Sequence, residues 1–170
     1  MDKIVNRVAN SNLKNIDLED FYLSGERLLF DIKDWLYQGV ILKENDFREK
    51  VNAYNWSSLE GKYIAFCCTT EAIIPSWAYL LLTTKASPYA KKCIVGNLNL
   101  LETVLYTEII TEFDTKSFEN KPVIIKGCAH KPIPESAYTL LVSKLLPIAK
   151  SIMYGEACST VPLYKKTETT

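Results

Sequence analysis

The sequence predicts an α/β protein: a three-layer sandwich with a mainly parallel sheet, built from two repeated βαβ units and an N-terminal β-hairpin. The first observation is an internal repeat, because residues 64–97 align without a gap to residues 123–156, with 11 identical positions of 34. The second is that each copy reads as strand, loop, helix and strand. The third is the uninterrupted apolar run from Tyr63 to Cys67, which is typical of a strand covered on both faces.

The N-terminal part contributes the hairpin and two helices. Residues 2–12 predict a short helix, and the acidic and apolar stretch 16–22 predicts a surface strand or turn whose apolar residues dock on the core. Residues 27–32 and 39–42 read as two strands with a short connection, which favours an antiparallel hairpin. Phe47, Val51 and Tyr54 then recur at helical spacing within residues 44–56.

The repeated units follow, joined by a helix whose apolar residues recur at helical spacing. Pro75 is expected in the first turn of its helix, where the missing N–H is tolerated, and Pro88 ends that helix. Residues 156–164 predict a loop or a short edge strand. The chain is expected to form a single domain over residues 1–164 with a disordered tail at 165–170. The predicted elements are strand 63–67, helix 75–86, strand 93–95, linking helix 99–113, strand 122–126, helix 134–146 and strand 150–154.

Charge and hydropathy exclude several functional classes. Lys and Arg together number 20, as do Asp and Glu, so the net charge is zero. A balanced charge argues against a nucleic-acid or anionic-membrane partner. No apolar run reaches the length of a membrane span, and no apolar stretch near the N-terminus resembles a signal peptide. We therefore expect a cytoplasmic protein with reduced cysteines, and the sequence leaves a homo-oligomer open.

The repeat predicts where a ligand site would lie. Ligands of open α/β sheets bind beyond the carboxyl ends of the strands. The residues that follow predicted strands include Cys68, Cys128, His130, Glu156 and Cys158. If the two copies are parallel neighbours in one sheet, these side chains emerge at one edge and form a ligand-binding site.

Three hypotheses follow from this grouping. The first is an accessory or binding protein whose ligand contacts Cys128 and Cys158, with zinc or an iron–sulfur cluster as the ligand that thiolates favour. The second is a thiol-dependent enzyme in which Cys128 is the nucleophile, His130 the base, and Glu156 or Glu71 orients the base. The third is a protein-interaction module with purely structural cysteines. The sequence has no CxxC pair to strengthen the metal hypothesis.

Five segments carry a resemblance to a known family. The segments NRVANSNLKNIDLEDFY, GERLLFDIKD, IIPSWAYLLL, KGC and KSIMYGEACSTVP resemble an uncharacterised bacterial family of unknown function, over almost the whole chain. The resemblance implies no established activity and supplies no catalytic residues. It implies partners among iron–sulfur cluster assembly proteins, which favours a role for Cys128 and Cys158 in handling metal or sulfur.

Overall fold

The structure is a computed structural model, which describes residues 12–127, 130–156 and 158–167. Within these ranges, four α-helices are interleaved with the strands of two mainly parallel sheets, so the predicted α/β class is confirmed. None of the helices in these ranges is long and apolar enough to cross a bilayer. The predicted helix at 2–12 lies almost entirely outside the described residues.

The chain divides into two compact units. Residues 23–101 form one of them, named here the continuous unit. Residues up to 22 and from 102 onward form the other, named here the split unit. The expectation of a single domain over residues 1–164 stays a prediction.

The continuous unit contains a three-stranded parallel sheet in the order β2-β3-β4. Its strands are β2 (Arg27–Asp31), β3 (Tyr63–Cys67) and β4 (Lys92–Val95). Its helices are α1 (Glu44–Ala53) and α2 (Ser76–Ala86). These helices bury their apolar residues with one face of the sheet in a single core.

The predicted N-terminal hairpin is wrong. Strand β2 pairs in parallel with β3, and residues 39–42 form no strand. Instead, a tight turn is closed by a single bridge between Tyr37 and Ile41, with positive φ angles of 51° at Gln38 and 75° at Gly39. Burial explains the difference, because β2 places Phe30 against the core through its pairing with β3.

The split unit contains a four-stranded sheet in the order β1-β5-β6-β7. Strands β1 (Lys14–Asp17), β5 (Pro122–Lys126) and β6 (Ser151–Glu156) are parallel, and β7 (Ser159–Lys165) is antiparallel to β6. Helix α4 (Glu135–Leu145) belongs to this unit. The predicted edge strand is therefore confirmed as β7, although it ends inside the segment predicted to be a disordered tail. Residues 168–170 lie outside the description.

Helix α3 (Leu98–Glu112) is the predicted linking helix, and the boundary between the units falls within it. Pro75 and Pro134 immediately precede α2 and α4, with φ of −62° and −72° and extended ψ angles. A proline at a helix start fixes φ without removing a needed N–H. The two helices consequently begin at Ser76 and Glu135, directly after the matched prolines of the internal repeat.

The sequence offset that separates Ser76 from Glu135 also relates the other elements of the two units. Strands β3 and β5, helices α2 and α4, and the starts of β4 and β6 all match at this offset. A shorter offset separates Asp17 from Asp31. At this offset, β1 and the 3-10 turn that follows it correspond to β2 and the 3-10 turn that follows it. Residues related in either way are called counterparts below. Among the described residues, every buried core residue of the continuous unit except Trp56 has a counterpart in the core of the split unit.

Candidate functional site

The predicted site residues are divided between two sheets. Cys68 follows β3 in the continuous unit, whereas His130, Glu156 and Cys158 follow or end strands of the split unit. Because β3 and β5 belong to different sheets, the premise that all these residues emerge at one edge of one sheet is wrong. Cys128 lies outside the described residues. Each unit has its own carboxyl edge, and both carry polar side chains.

At the carboxyl edge of the split unit, an ion pair joins the ends of two strands. Asp17 ends β1 opposite Lys126, which ends β5, and Oδ2 of Asp17 lies 3.2 Å from Nζ of Lys126. The other oxygen, Oδ1, accepts a hydrogen bond of 3.0 Å from the N–H of Glu19. An aspartate that caps a following helical turn in this way satisfies a donor left free at the turn's start. Asp17 thus ends the strand and fixes the loop that crosses the edge.

Helix α4 contributes an aromatic side chain to the same edge. A Cβ atom added to Gly127 would collide with the hydroxyl of Tyr138, so this tyrosine can lie over the end of β5 only because residue 127 is glycine. The rings of Tyr138 and Tyr154 meet edge to face at 5.9 Å between centroids. Glu135 joins these two tyrosines in lining a cavity of about 300 Å³.

The electrostatic environment of this cavity is acidic. Burial raises the pKa of Tyr138, and the electrostatic influence of Tyr154, Glu135, Asp17 and Glu19 raises it further. The phenol is therefore neutral at physiological pH and can either donate or accept a hydrogen bond. The arrangement favours a ligand that brings a positive charge or a hydrogen-bond donor.

The residues predicted from the sequence lie around this edge of the split unit. His130 is exposed, and its backbone N–H donates a hydrogen bond of 3.2 Å to Oε1 of Glu19. Glu156 is the last residue of β6, and exposed Cys158 lies in the turn to β7 as a free thiol. The predicted roles of these residues stay predictions.

The carboxyl edge of the continuous unit repeats the arrangement with different chemistry. Asp31, the counterpart of Asp17, accepts hydrogen bonds from the N–H groups of Lys33 and Thr69 at 3.0 and 3.2 Å and from the Thr69 hydroxyl at 2.5 Å. Although burial alone would raise the pKa of Asp31, these hydrogen bonds and the charge of Lys33 outweigh burial and lower it. A carboxylate held in this way is a structural anion rather than a proton carrier.

Two thiols of the continuous unit, those of Cys67 and Cys93, are not activated by their surroundings. Burial raises the pKa of Cys67, and the negative charge of Asp31 adds to the effect. Burial likewise raises the pKa of Cys93. The Cys68 sulfur lies 3.2 Å from the Thr70 hydroxyl. Because a reactive cysteine needs a depressed pKa, we interpret Cys67 and Cys93, which are half-buried, as packing residues.

In the described part of the chain, no group of three or more His, Cys, Asp or Glu side chains is placed to hold a metal ion. Cys128 lies outside the described residues, so the prediction that Cys128 and Cys158 hold zinc or an iron–sulfur cluster stays a prediction.

Sequence reasoning missed the two strand-ending aspartates, although the sequence contains a signal for them. Residues 17–21 read Asp-Leu-Glu-Asp-Phe, and residues 31–35 read Asp-Ile-Lys-Asp-Trp. In both segments the aspartate accepts from the N–H two residues later, the next residue is fully buried, and a short 3-10 helix follows. The two aspartate segments lie much closer together in sequence than residues 64–97 and 123–156 do. An alignment at the longer offset therefore does not pair Asp17 with Asp31.

Comparison with known proteins assigns the chain to a family whose description names no activity. A family model, described as a protein of unknown function (DUF2480), matches residues 2–166. The chain belongs to this family. No curated protein and no solved structure matches the chain.

Proposed function

We propose that this chain is a cytoplasmic accessory binding protein, not a self-sufficient enzyme, that holds a small ligand at the carboxyl edge of the four-stranded sheet. The observation that carries the proposal is the cavity of about 300 Å³ lined by Glu135, Tyr138 and Tyr154. Its position agrees with the general rule that ligands of open α/β sheets bind beyond the carboxyl ends of the strands. Its size lies at the lower end of the range for small-molecule sites.

The chemistry of the lining favours a cationic amine. The Glu135 carboxylate supplies a negative charge, and the side chains of Tyr138 and Tyr154 offer hydrogen-bond acceptors and ring faces that attract cations. The carboxylates of Asp17 and Glu19 add to the negative potential at Tyr138. An amine therefore finds both charge complementarity and partners for its N–H groups.

The predicted thiols form the rim of the site in this proposal. Cys158 is exposed in the turn that directly follows Glu156, and His130 is exposed on the loop after β5. Cys128 would add a second sulfur from the same loop, outside the described residues. Contact of the ligand with these side chains, rather than with Cys68 of the other sheet, is what the topology supports.

A titration with two probes of equal chain length and opposite charge tests the proposal. Putrescine, followed by protein-observed NMR, is expected to shift resonances of residues 135–138 and 152–156, whereas succinate is not. Glu135→Gln should weaken putrescine binding about tenfold, the effect of losing one charge-assisted hydrogen bond. Tyr138→Phe should weaken it less, and Tyr79→Phe, at the counterpart position on α2, should leave it unchanged. Equal binding of both probes, or an unchanged affinity in Glu135→Gln, would refute the cationic site.

The thiol rim has a separate test. The wild type and Cys158→Ser are purified anaerobically, and their zinc, iron and sulfide contents are compared. A metal content that falls in Cys158→Ser supports a thiol ligand at the rim. If neither protein carries metal, the cysteines do not bind one. This result leaves the amine site unaffected, because the putrescine titration tests that site independently.

A further inference from the structure

A second cavity lies in the split unit and shares no lining residue with the cavity at Tyr138. Its volume is about 350 Å³. Its apolar wall consists of Ile16 on β1 and three phenylalanines, Phe21, Phe113 and Phe118. The rings of Phe21 and Phe113 meet edge to face at 5.0 Å, and those of Phe113 and Phe118 lie 5.7 Å apart. The polar lining residues include Asp20, which is exposed.

The continuous unit shows what fills the equivalent space. There the Trp56 ring stacks on Phe30 at 6.0 Å and meets Trp35 and Tyr54 edge to face at 6.4 and 4.9 Å. The three residues that contact the Trp56 ring have counterparts in the split unit, and all three counterparts line the cavity. They are Ile16 for Phe30, Phe21 for Trp35 and Phe113 for Tyr54.

The counterpart of Trp56 itself is the much smaller Thr115. The buried indole of one unit thus corresponds to open space in the other, at the one core position of the continuous unit that has no counterpart in the core of the split unit. The wall around that space keeps the aromatic character that an indole needs for edge-to-face packing.

In the split unit, the carbonyl equivalent to the acceptor of the Trp56 indole already has another donor. In the continuous unit, Nε1 of Trp56 donates a hydrogen bond of 2.7 Å to the carbonyl of Val51. The counterpart carbonyl, that of Ile110, accepts instead from Nζ of Lys144 at 2.8 Å. Because the acceptor is satisfied without an indole, the split unit tolerates the cavity.

We propose that this cavity is a binding site for an indole-sized planar aromatic group. Aromatic walls take up rings of matching size, because the bound ring gains dispersion and edge-to-face contacts with them. The carboxylate of Asp20 accepts the N–H of the bound ring. The aromatic group comes either from a free small molecule or from a tryptophan side chain of another protein, and the two sources share the chemistry of the ring.

Protein-observed NMR titration of the full chain tests this site. The probes are indole and N-acetyltryptophanamide, and saturable shifts are expected at residues 15–21 and 113–118 with a dissociation constant of about 1 mM or tighter. Tighter binding of indole identifies a free small molecule as the source. Tighter binding of N-acetyltryptophanamide identifies a protein side chain.

Three variants decide whether the binding is at the cavity. Thr115→Trp supplies the indole that Trp56 supplies in the other unit, so it should abolish probe binding and raise the unfolding midpoint. Thr139→Trp, which adds a tryptophan at an exposed position of α4, should bind like the wild type. Phe113→Ala removes part of the wall and should weaken binding at least fivefold, which keeps the test decisive if Thr115→Trp fails to fold. No saturable shift with either probe, or unchanged binding in Phe113→Ala, would overturn the proposal.

Discussion

Replacing Trp56 by threonine gives the continuous unit the residue that the split unit has at the counterpart position, Thr115. Trp56 is the one core residue of the continuous unit whose counterpart is not in the core of the split unit. Trp56 is buried, stacks on Phe30 and donates a hydrogen bond to the Val51 carbonyl. Removal of a buried tryptophan side chain costs roughly 3–5 kcal/mol. The Val51 carbonyl loses its indole donor, but Lys85, the counterpart of Lys144, can replace it, so no separate cost is added for this acceptor. The expected loss is therefore about 3–5 kcal/mol, a large part of the total stability of an ordinary domain.

Urea unfolding followed by tryptophan fluorescence measures this loss. All three tryptophans of the chain lie in the continuous unit, so the signal reports on that unit alone. With a denaturant slope of about 2 kcal/mol per molar, the midpoint in Trp56→Thr should fall by about 2 M. Trp77→Thr is the control, because Trp77 is only half-buried and should lose less than half as much. A midpoint shift below about 0.5 M in Trp56→Thr, at unchanged slope, would show that the indole does not fill the core.

Three further outcomes are expected. The hydroxyl of buried Tyr106 donates to a carbonyl at 3.2 Å, and burial together with neighbouring negative charge raises its pKa from 10.0 to about 12. The contribution of the Tyr106 phenol to the free energy of unfolding is complete below pH 10 and is lost as the pH rises towards 12. Tyr106→Phe should therefore be less stable than the wild type by about 1 kcal/mol below pH 10. Above pH 10, alkaline unfolding curves should show a smaller loss of stability in Tyr106→Phe than in the wild type. The lowered pKa of Asp31 stabilises the fold above its ordinary value of 3.8, and this contribution is lost on acidification. Asp31→Asn should therefore flatten the acid limb of the stability profile, and an unchanged limb contradicts the assignment. Gly155 has a φ of 117°, and an added Cβ would lie 2.6 Å from a backbone oxygen, so Gly155→Ala should lower the thermal midpoint markedly, whereas Gly39→Ala, with φ of 75° and open space, should lower it less.

The local elements were predictable because local chemistry fixes them. Pro75 and Pro134 set the starts of α2 and α4, and the apolar run at 63–67 became β3 with the same bounds. Strand β7 followed from the residues after β6. The prediction failed at residues 39–42, where apolar residues read as a strand but positive φ angles at Gln38 and Gly39 close a turn.

The candidate site was predictable only in part. His130, Glu156 and Cys158 lie at the carboxyl edge of the split unit, as the strand-end rule suggests. The rule did not find Tyr138, because a helical tyrosine facing a sheet is usually a packing residue. Its position over Gly127 follows from the tertiary packing of α4 against the end of β5, which the sequence pattern does not specify.

The sequence by itself determined that the chain is α/β, that a strand–helix–strand segment occurs twice, and where most helices and strands begin and end. Only the tertiary structure decided that the two copies build separate sheets, with β1 joining β5 and β2 joining β3. The physical reason is that strands pair through backbone groups common to every residue, so pairing between distant segments is selected by which apolar faces fill one core together. That selection also left a space at Thr115 where the other unit holds Trp56.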